Sequence, residues 1–400
     1  MIDFELLPST KQGLIGTRAL AEGLFRKIGR HYDIHEHDKV QELHDLVAAM
    51  PKAPPKEKKE KRDETKLPKE PRKSEPGLAT VVSMEEMSWG DVGIMLAFPA
   101  QGLGNAAIDA VATSEQRARF GQKFAAMAIT EPCCGSDTAN IRTTAKLDEA
   151  TREWILNGEK IFVTSGYHCE AVVVWASLDR GLGRAAIKSF VVEKGTPGMT
   201  VTKVEDKLGI RASDTASIVF EDCRIPYENI LGSPDVKERK EGLGGAMKTF
   251  DATRPGVAAM AIGVSRAALE FTKQKIEEEG FSFPYDRGLH ELSYVQRTVM
   301  EMEANLEVAR LLTWRSAAML DTGARNSLEA SMGKAKAGRA ATLVTQKCVE
   351  LLGPLGYSRE WLVEKWMRDC KITDIFEGTG QIQMLVIARQ ILGFSREMLK

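Results

Sequence analysis

One carboxylate near the end of this 400-residue sequence is placed where it could do chemistry. In "KITDIFEGTGQIQ" (371–383), Glu377 lies between Phe376 and Gly378, with apolar neighbours before it and an amide-rich, Gly-containing turn after it. An acid held among apolar groups pays for its charge and becomes a stronger base. The same residues also fit an inert reading, a solvated glutamate at a helix end with Gly378 as the stop signal. Two other groups carry reactive side chains at close spacing. "HYDIHEHD" puts His31 and His35 on one helical face beside Asp33, His37 and Asp38, a spacing compatible with zinc. The segment closes a periodic helix as a polar, solvated exit, so no metal site is expected. The six cysteines form no Cys-x-x-Cys pair. Cys133 and Cys134 are adjacent, and neighbouring cysteines seldom bridge without strain, so unpaired thiols in a reducing, cytoplasmic compartment are expected.

These groups need elements to position them. Basic and acidic residues nearly cancel, 55 against 56, which gives no reason to expect a nucleic acid or an anionic membrane as partner. The hydrophobic fraction of 43% is ample for real cores, and no long uncharged apolar run predicts a membrane span. The opening "MIDFELLPSTKQ" has acids where a secretory signal would be basic and then apolar. Helical spacing runs through Leu14, Leu20, Leu24, Phe25 and Ile28, then Val40, Leu43, Leu46 and Val47. Residues 51–77 hold six prolines, many Lys and Glu, and one large apolar residue, Leu67, which predicts a solvated loop open to proteases. From Met127 to Pro226 the period shortens to that of strands. "EWILNGEKIFVTSG" reads as two strands joined by a turn at Asn157-Gly158, and three further short strands follow. After Glu228 long helices are predicted over 241–278, 290–321 and 325–352, then a shorter pair at 360–371 and 380–390. The expected fold is a multidomain α+β chain. It has a helical domain (1–126), a β-barrel-like middle domain (127–236) and a C-terminal four-helix bundle (237–400).

Five stretches, in order, are similar to one family. "MAITEPCCGSDTANIRTTA" resembles the Thr-Glu-Pro-x-x-Gly-Ser-Asp signature of the acyl-CoA dehydrogenases. "LNGEKIFVTSG", "LGIRASDTASIVFEDCRIPYENILG", "FDATRPGVAAMAIGVSRAALE" and "VEKWMRDCKITDIFEGTGQIQ" resemble the segments that follow it. The resemblance covers residues 78–400; the first 50 residues match in helical character alone. It implies FAD, an acyl-CoA substrate, and an electron-transferring flavoprotein that takes the electrons. Glu377 is then the base that removes the α proton. Its backbone N–H helps bind the thioester oxygen, Phe376 excludes water, and Gly378 allows close approach. Thr253 stands where some relatives place the base and cannot serve. Ile129, Thr130, Ser136, Phe162, Thr164, Thr379 and Gln381 are implied to contact the flavin. Ser136, Asp251 and Arg254 are implied to contact the substrate, with Arg325 a weaker candidate for a phosphate. Residues 92–104 would line the acyl pocket, with Pro99 altering its floor.

The sequence also departs from the family pattern. Phe162 replaces a common Trp, Met127 an aromatic, and Cys133-Cys134 a small Gly-Ala pair. The Arg-x-x-Phe-Gly motif and Gln that relatives lend to a neighbouring subunit's flavin fall on Ser282–Asp286 and Ser293. A second lent Gln becomes Glu350, before Gly353 to Gly356. The expected assembly is therefore a hetero-oligomer with a second dehydrogenase-like chain, or a homotetramer in which Arg287 or Gln296 substitutes. Acyl-CoA oxidases share the fold and differ in how oxygen reaches the flavin. Nitroalkane oxidases use Asp at the base position, against which Glu377 argues.

Overall fold

Apolar stripes at helical spacing build the first layer. This computed structural model describes residues 5–50, 74–99, 102–236, 244–395 and 398, so most of the Pro- and Lys-rich segment, 51–73, lies outside the described residues. α1 (Pro8–Leu20) and α2 (Arg26–Ile34) are joined by a π-helical turn, Ala21–Phe25, and α3 (Gln41–Ala49) follows. The turn buries Ala21 and Phe25 completely. A Cβ at Gly90 would meet the Ala21 carbonyl oxygen at 2.7 Å, so only glycine allows this approach.

α4 (Pro76–Leu96) starts inside the segment read from sequence as loop to residue 77. Proline at the first helical position lacks only an N–H that would be unpaired anyway. The next donors, Gly77 N and Leu78 N, reach the Asp321 carboxylate at 2.6 and 3.0 Å, so an acid from a distant helix caps this one. α4 breaks at Asp91 (φ −165°, ψ 120°). Asp91 Oδ1 accepts from Ile94 N at 3.0 Å and caps the second half. Its other oxygen lies 2.6 Å from Lys365, which also holds Asp369 at 2.6 Å. All three side chains are buried. Burial works against the Lys365 charge, but two carboxylates more than offset it and hold its proton affinity above the ordinary range.

After α5 (Leu103–Val111) and α6 (Ser114–Phe120) come seven strands: β1 (Ala125–Ala128), β2 (Thr144–Asp148), β3 (Glu153–Thr164), β4 (Ala171–Ser177), β5 (Ile187–Glu193), β6 (Met199–Val204) and β7 (Thr215–Pro226). They form one mixed sheet, β1-β4-β2-β3-β7-β6, with β5 added on β4. β4 is buried along its whole length. Val172, Val174 and Ala176 enter one core, while Ala171, Val173 and Trp175 enter another on the opposite face. That explains its uninterrupted apolar run.

The turn expected at Asn157-Gly158 is not there. β3 passes through both residues as one strand, and the β2–β3 hairpin closes at 149–152, where Arg152 takes φ +55°. Gly158 (φ +149°) sits at a register shift against β7, and a Cβ there would meet Thr143 Oγ1 at 2.5 Å. The glycine serves a bulge and a close approach. Asn157 exchanges hydrogen bonds with Asp222 across that bulge, at 2.8 and 3.1 Å. The expectation of unpaired thiols is also corrected: Cys133 and Cys134 are joined as a disulfide. They lie in a tight turn closed by reciprocal Glu131–Cys134 backbone bonds of 3.0 and 3.1 Å.

The C-terminal third is helical: α7 (Gly244–Glu278), α8 (Tyr294–Thr322), α9 (Ser327–Leu352), α10 (Pro354–Tyr357), α11 (Val363–Cys370) and α12 (Gly380–Leu392). α7 packs on α4, α8 and α9, and α11 and α12 pack on α9. Ser293 and Gln296 form a capping box at the start of α8. No helix among the described residues is long and apolar enough to cross a membrane.

Candidate active site

Glu377 occupies the turn between the 3₁₀ segment Lys371–Asp374 and α12. Its backbone is left-handed (φ +52°), and Gly378 follows at φ +92°. A non-glycine residue held this way costs energy that its surroundings must supply. Those surroundings are specific. Thr253 Oγ1, from α7, donates to Glu377 Oε2 at 2.6 Å. Lys334 Nζ, from α9, donates to the Gly378 carbonyl at 2.7 Å. Gln383 Nε2, from α12, donates to the Gly378 and Glu377 carbonyls at 3.0 and 3.4 Å. A Cβ on Gly378 would strike that amide at 2.4 Å. Burial pushes the Glu377 proton affinity up. The Thr253 hydrogen bond and the Arg254 and Lys334 charges pull it back, and burial wins. Glu377 is thus half-buried and held by a neighbouring side chain, unlike a freely solvated residue at a helix end.

Arg254 is buried beside it and pairs with Asp251 at 2.7 Å, while its Nε has no partner. Asp251 also accepts from Ser327 Oγ at 3.2 Å. Phe376 packs on the main core. Thr379 is the N-cap of α12, accepting from Ile382 N at 3.3 Å, and Gln381 is exposed in the first helical turn. Arg325 is exposed next to Asn326, whose amide reaches the Asp251 carbonyl at 3.2 Å. The structure therefore brings Glu377, Gly378, Thr253, Asp251 and Arg254 into one cluster. Of the expected acyl-pocket stretch, Val92, Ile94 and Met95 are buried, the Phe98 ring lies 6.4 Å from Phe25, and residues 100–101 lie outside the described residues.

A second group forms at the sheet. Ile129 is buried, and the Thr130 carbonyl accepts from Ile161 N at 2.9 Å, which sets Thr130 beside Phe162. Phe162 is left-handed (φ +55°) and 60% exposed. Thr164 pairs with Thr215 of β7, and Ser136 is exposed in the turn that follows the cysteines. The β6–β7 loop ties this group to the first. Ser165 N donates to the Asp214 carbonyl at 2.9 Å, and Ile210 N donates to Asp369 at 2.6 Å, just before the Glu377 turn.

Sequence reasoning missed several residues. Lys160, fully buried, pairs with Glu131 at 2.7 Å and bonds the Ile129 carbonyl at 3.2 Å. Burial lowers its proton affinity to about 8 despite that partner. A cleft of about 320 Å³ beside the turn after Ser136 is lined by Asn140, Ser177 and Arg180, and the buried Ser177 hydroxyl has no partner. Lys334 reaches the Gly378 carbonyl from α9, a contact with no mark in the local sequence, and Gln383 bonds back to the same turn from α12. Among the described residues two groups of potential metal ligands converge, and each is already engaged. Glu131 is held by Lys160 next to the disulfide, and Glu36, beside His37 and Asp206, is held by Lys207 and Arg211. The His31 and His35 rings lie 4.6 Å apart, tilted by 40°.

Comparison with known proteins meets this geometry. The profile described as "Acyl-CoA dehydrogenase, middle domain" matches residues 126–223, and "Acyl-CoA dehydrogenase, C-terminal domain" matches 240–392. The mitochondrial short-chain specific acyl-CoA dehydrogenase of Bos taurus is 39% identical over 79% of this chain and 76% of its own length. This chain belongs to the acyl-CoA dehydrogenase family. The rat (Rattus norvegicus) protein of the same name is 42% identical over 68% of this chain, and that match spans 64% of the rat protein's length. The structure of butyryl-CoA dehydrogenase from Megasphaera elsdenii superimposes with a TM-score of 0.80 or better, 0.82, at 28% identity over 98% of this chain and all of that one. The acyl-CoA dehydrogenase fold is thus present from the first described helix to the last.

Proposed function

We propose that this chain dehydrogenates a short-chain acyl-CoA thioester to its trans-2-enoyl-CoA. The observation that carries this reading is Glu377, a half-buried carboxylate of raised proton affinity held by Thr253 next to two cations. Breaking the α C–H bond leaves an electron pair that the thioester carbonyl delocalises, and Glu377 takes the proton. The Glu377 backbone N–H sits in the same turn and serves as a donor to the thioester oxygen. Phe376 and the core behind it keep water from the base, and Gly378 leaves room for the acyl chain. Asp251 and Arg254 hold the pantetheine side. The cleft at Ser177 and Arg180 suits the phosphate end, with Ser136 a further candidate there.

The residues at the sheet fit FAD. The uncovered Phe162 ring offers a stacking face, and Thr130 and Thr164 offer short polar contacts. Ile129, Ser136, Thr379 and Gln381 complete the set. When bound, FAD supplies the acceptor for hydride from the β carbon, and an electron-transferring flavoprotein then removes the electrons. The short-chain preference follows the names of the similar proteins. Anaerobic mixing of the yellow protein with butyryl-, octanoyl- and palmitoyl-CoA tests the reading. Rapid bleaching by butyryl-CoA supports it, and a colourless or unbleached protein contradicts it.

One observation favours a second reading, that of a dehydrogenase-like subunit working with a different chain. Glu350 is tied to Lys347 and Tyr294 at 2.8 Å, and Gln296 is committed to its capping box and the Ser282 carbonyl, so neither is free to serve a neighbour's flavin. A flavin count on the purified assembly separates the two. One flavin per chain in a homotetramer excludes the hetero-oligomer.

A further inference from the structure

Three lysines, Lys160, Lys334 and Lys365, are among the largest fully buried side chains described. Buried ammonium groups are normally paired with carboxylates. Lys160 has Glu131 at 2.7 Å, and Lys365 has Asp91 and Asp369 at 2.6 Å. Lys334 differs. Among the described residues it makes no ion pair within 4 Å, and its hydrogen bond goes to a neutral acceptor, the Gly378 carbonyl. The charged groups that face it are Asp374 and Glu377, across the turn, and Arg254 on α7, which is itself paired with Asp251. The acceptor it chose is the carbonyl directly after Glu377, in a turn with two successive left-handed residues. A backbone of that kind persists only where its neighbours fix it.

We propose that Lys334 is a positioning residue for Glu377: it pins the Glu377–Gly378 turn through the Gly378 carbonyl and supplies the buried positive charge that keeps Glu377 ionised before proton transfer. The inference rests on Glu377 being the base. Thr253 and Arg254 act on the same carboxylate from α7, and Lys334 acts from α9, so the three cover it from both helices. Burial lowers the Lys334 proton affinity to about 8, so it remains mostly charged at neutral pH. The proton balance is simple. The α proton moves to Glu377, whose negative charge is cancelled, and Lys334 keeps its own proton.

The test uses the holoenzyme and an acyl-CoA whose β carbon is replaced by sulfur. Such a compound cannot lose hydride but still exchanges its α hydrogens with deuterated solvent, so proton transfer is read without flavin chemistry. K334M and K334Q both remove the charge, and either suffices if the other does not fold. Loss of an opposite charge next to a carboxylate predicts exchange roughly tenfold or more slower at about pH 6, shrinking to about twofold near pH 9, above the Lys334 value of about 8, where wild type has largely lost that charge too. K334R recovers most of the loss at the acid end. A merely structural lysine predicts a lower Tm and a loss equal at every pH; that result, or an unchanged profile, overturns the proposal. E377Q separates the two claims. If it exchanges at the wild-type rate, the base assignment fails. If it is inert while K334M and K334Q keep the wild-type profile, only the role of Lys334 fails.

Discussion

At the scale of single residues, the account turns on how Glu377 is held. Its backbone strain and its desolvation both cost stability, and in the proposed reading both serve a base. Because burial raises its folded proton affinity above the unfolded value, its favourable contribution is complete below the unfolded pKa. That contribution is lost as pH rises through the folded one. Above the unfolded pKa the group therefore works against the fold. E377Q is expected to melt higher than wild type at about pH 7, with the difference closing toward about pH 4. Calorimetry across that range checks this, and a lower Tm for E377Q at neutral pH counts against the burial argument. Thr253→Val removes the donor to Oε2 and tests the opposing force. A hydrogen bond to a charged group is worth about 1.5–3 kcal/mol, so the variant should lose roughly tenfold or more of its turnover on the acid side and much less on the alkaline side. Glu377, Gly378, Asp251 and Arg254 were legible in the sequence because each sits in a continuous motif. Thr253 was read there only as a position that cannot carry the base. Its hydrogen bond was not legible, because 124 residues separate it from its acceptor. Lys334 and Gln383 carry no local mark of their contacts either.

At the scale of elements, polar side chains set breaks and joints that periodicity does not reveal. The helical spacing of the C-terminal third was clear, since long amphipathic stripes leave little choice. Asn157-Gly158 misled because the dipeptide that closes a two-residue hairpin also suits a bulge, and only the nearness of Thr143 distinguishes them. The kink at Asp91 was equally hidden. Its acid is useful because Lys365 arrives from α11 with Asp369, and Asp369 in turn holds Ile210 of the β6–β7 loop. Three parts of the fold thus meet at one buried ammonium. K365M leaves two buried carboxylates without a counter-charge, and a loss of about 3–5 kcal/mol is expected on urea unfolding. Loss of under about 1 kcal/mol would mean that the cluster is not the joint described here.

For the whole molecule, the cofactor completes the surface. Phe162 is 60% exposed on a left-handed backbone, and in the proposed reading the flavin lies against it. A ligand that binds the folded chain alone stabilises it by mass action, about 4 kcal/mol at a thousandfold excess over its Kd. Stripping the FAD should lower Tm, and adding it back should restore the original value; Phe162→Ala should weaken that recovery. A melting point indifferent to FAD would place the cofactor elsewhere. The order of helical, β and helical parts was legible because composition and period change sharply at each junction. How the sheet is tied to the Glu377 turn was not, because the connection runs through single hydrogen bonds in the β6–β7 loop.

The most direct measurement is a single-turnover one. Wild type and E377Q are mixed anaerobically with butyryl-CoA, and the bleaching of the bound FAD is followed by stopped flow. The amide is close to the carboxylate in shape but accepts no proton. E377Q should therefore bind FAD and butyryl-CoA as wild type does and bleach about 10²–10⁴-fold more slowly. Bleaching at the wild-type rate would contradict the assignment of Glu377 and the account built on it.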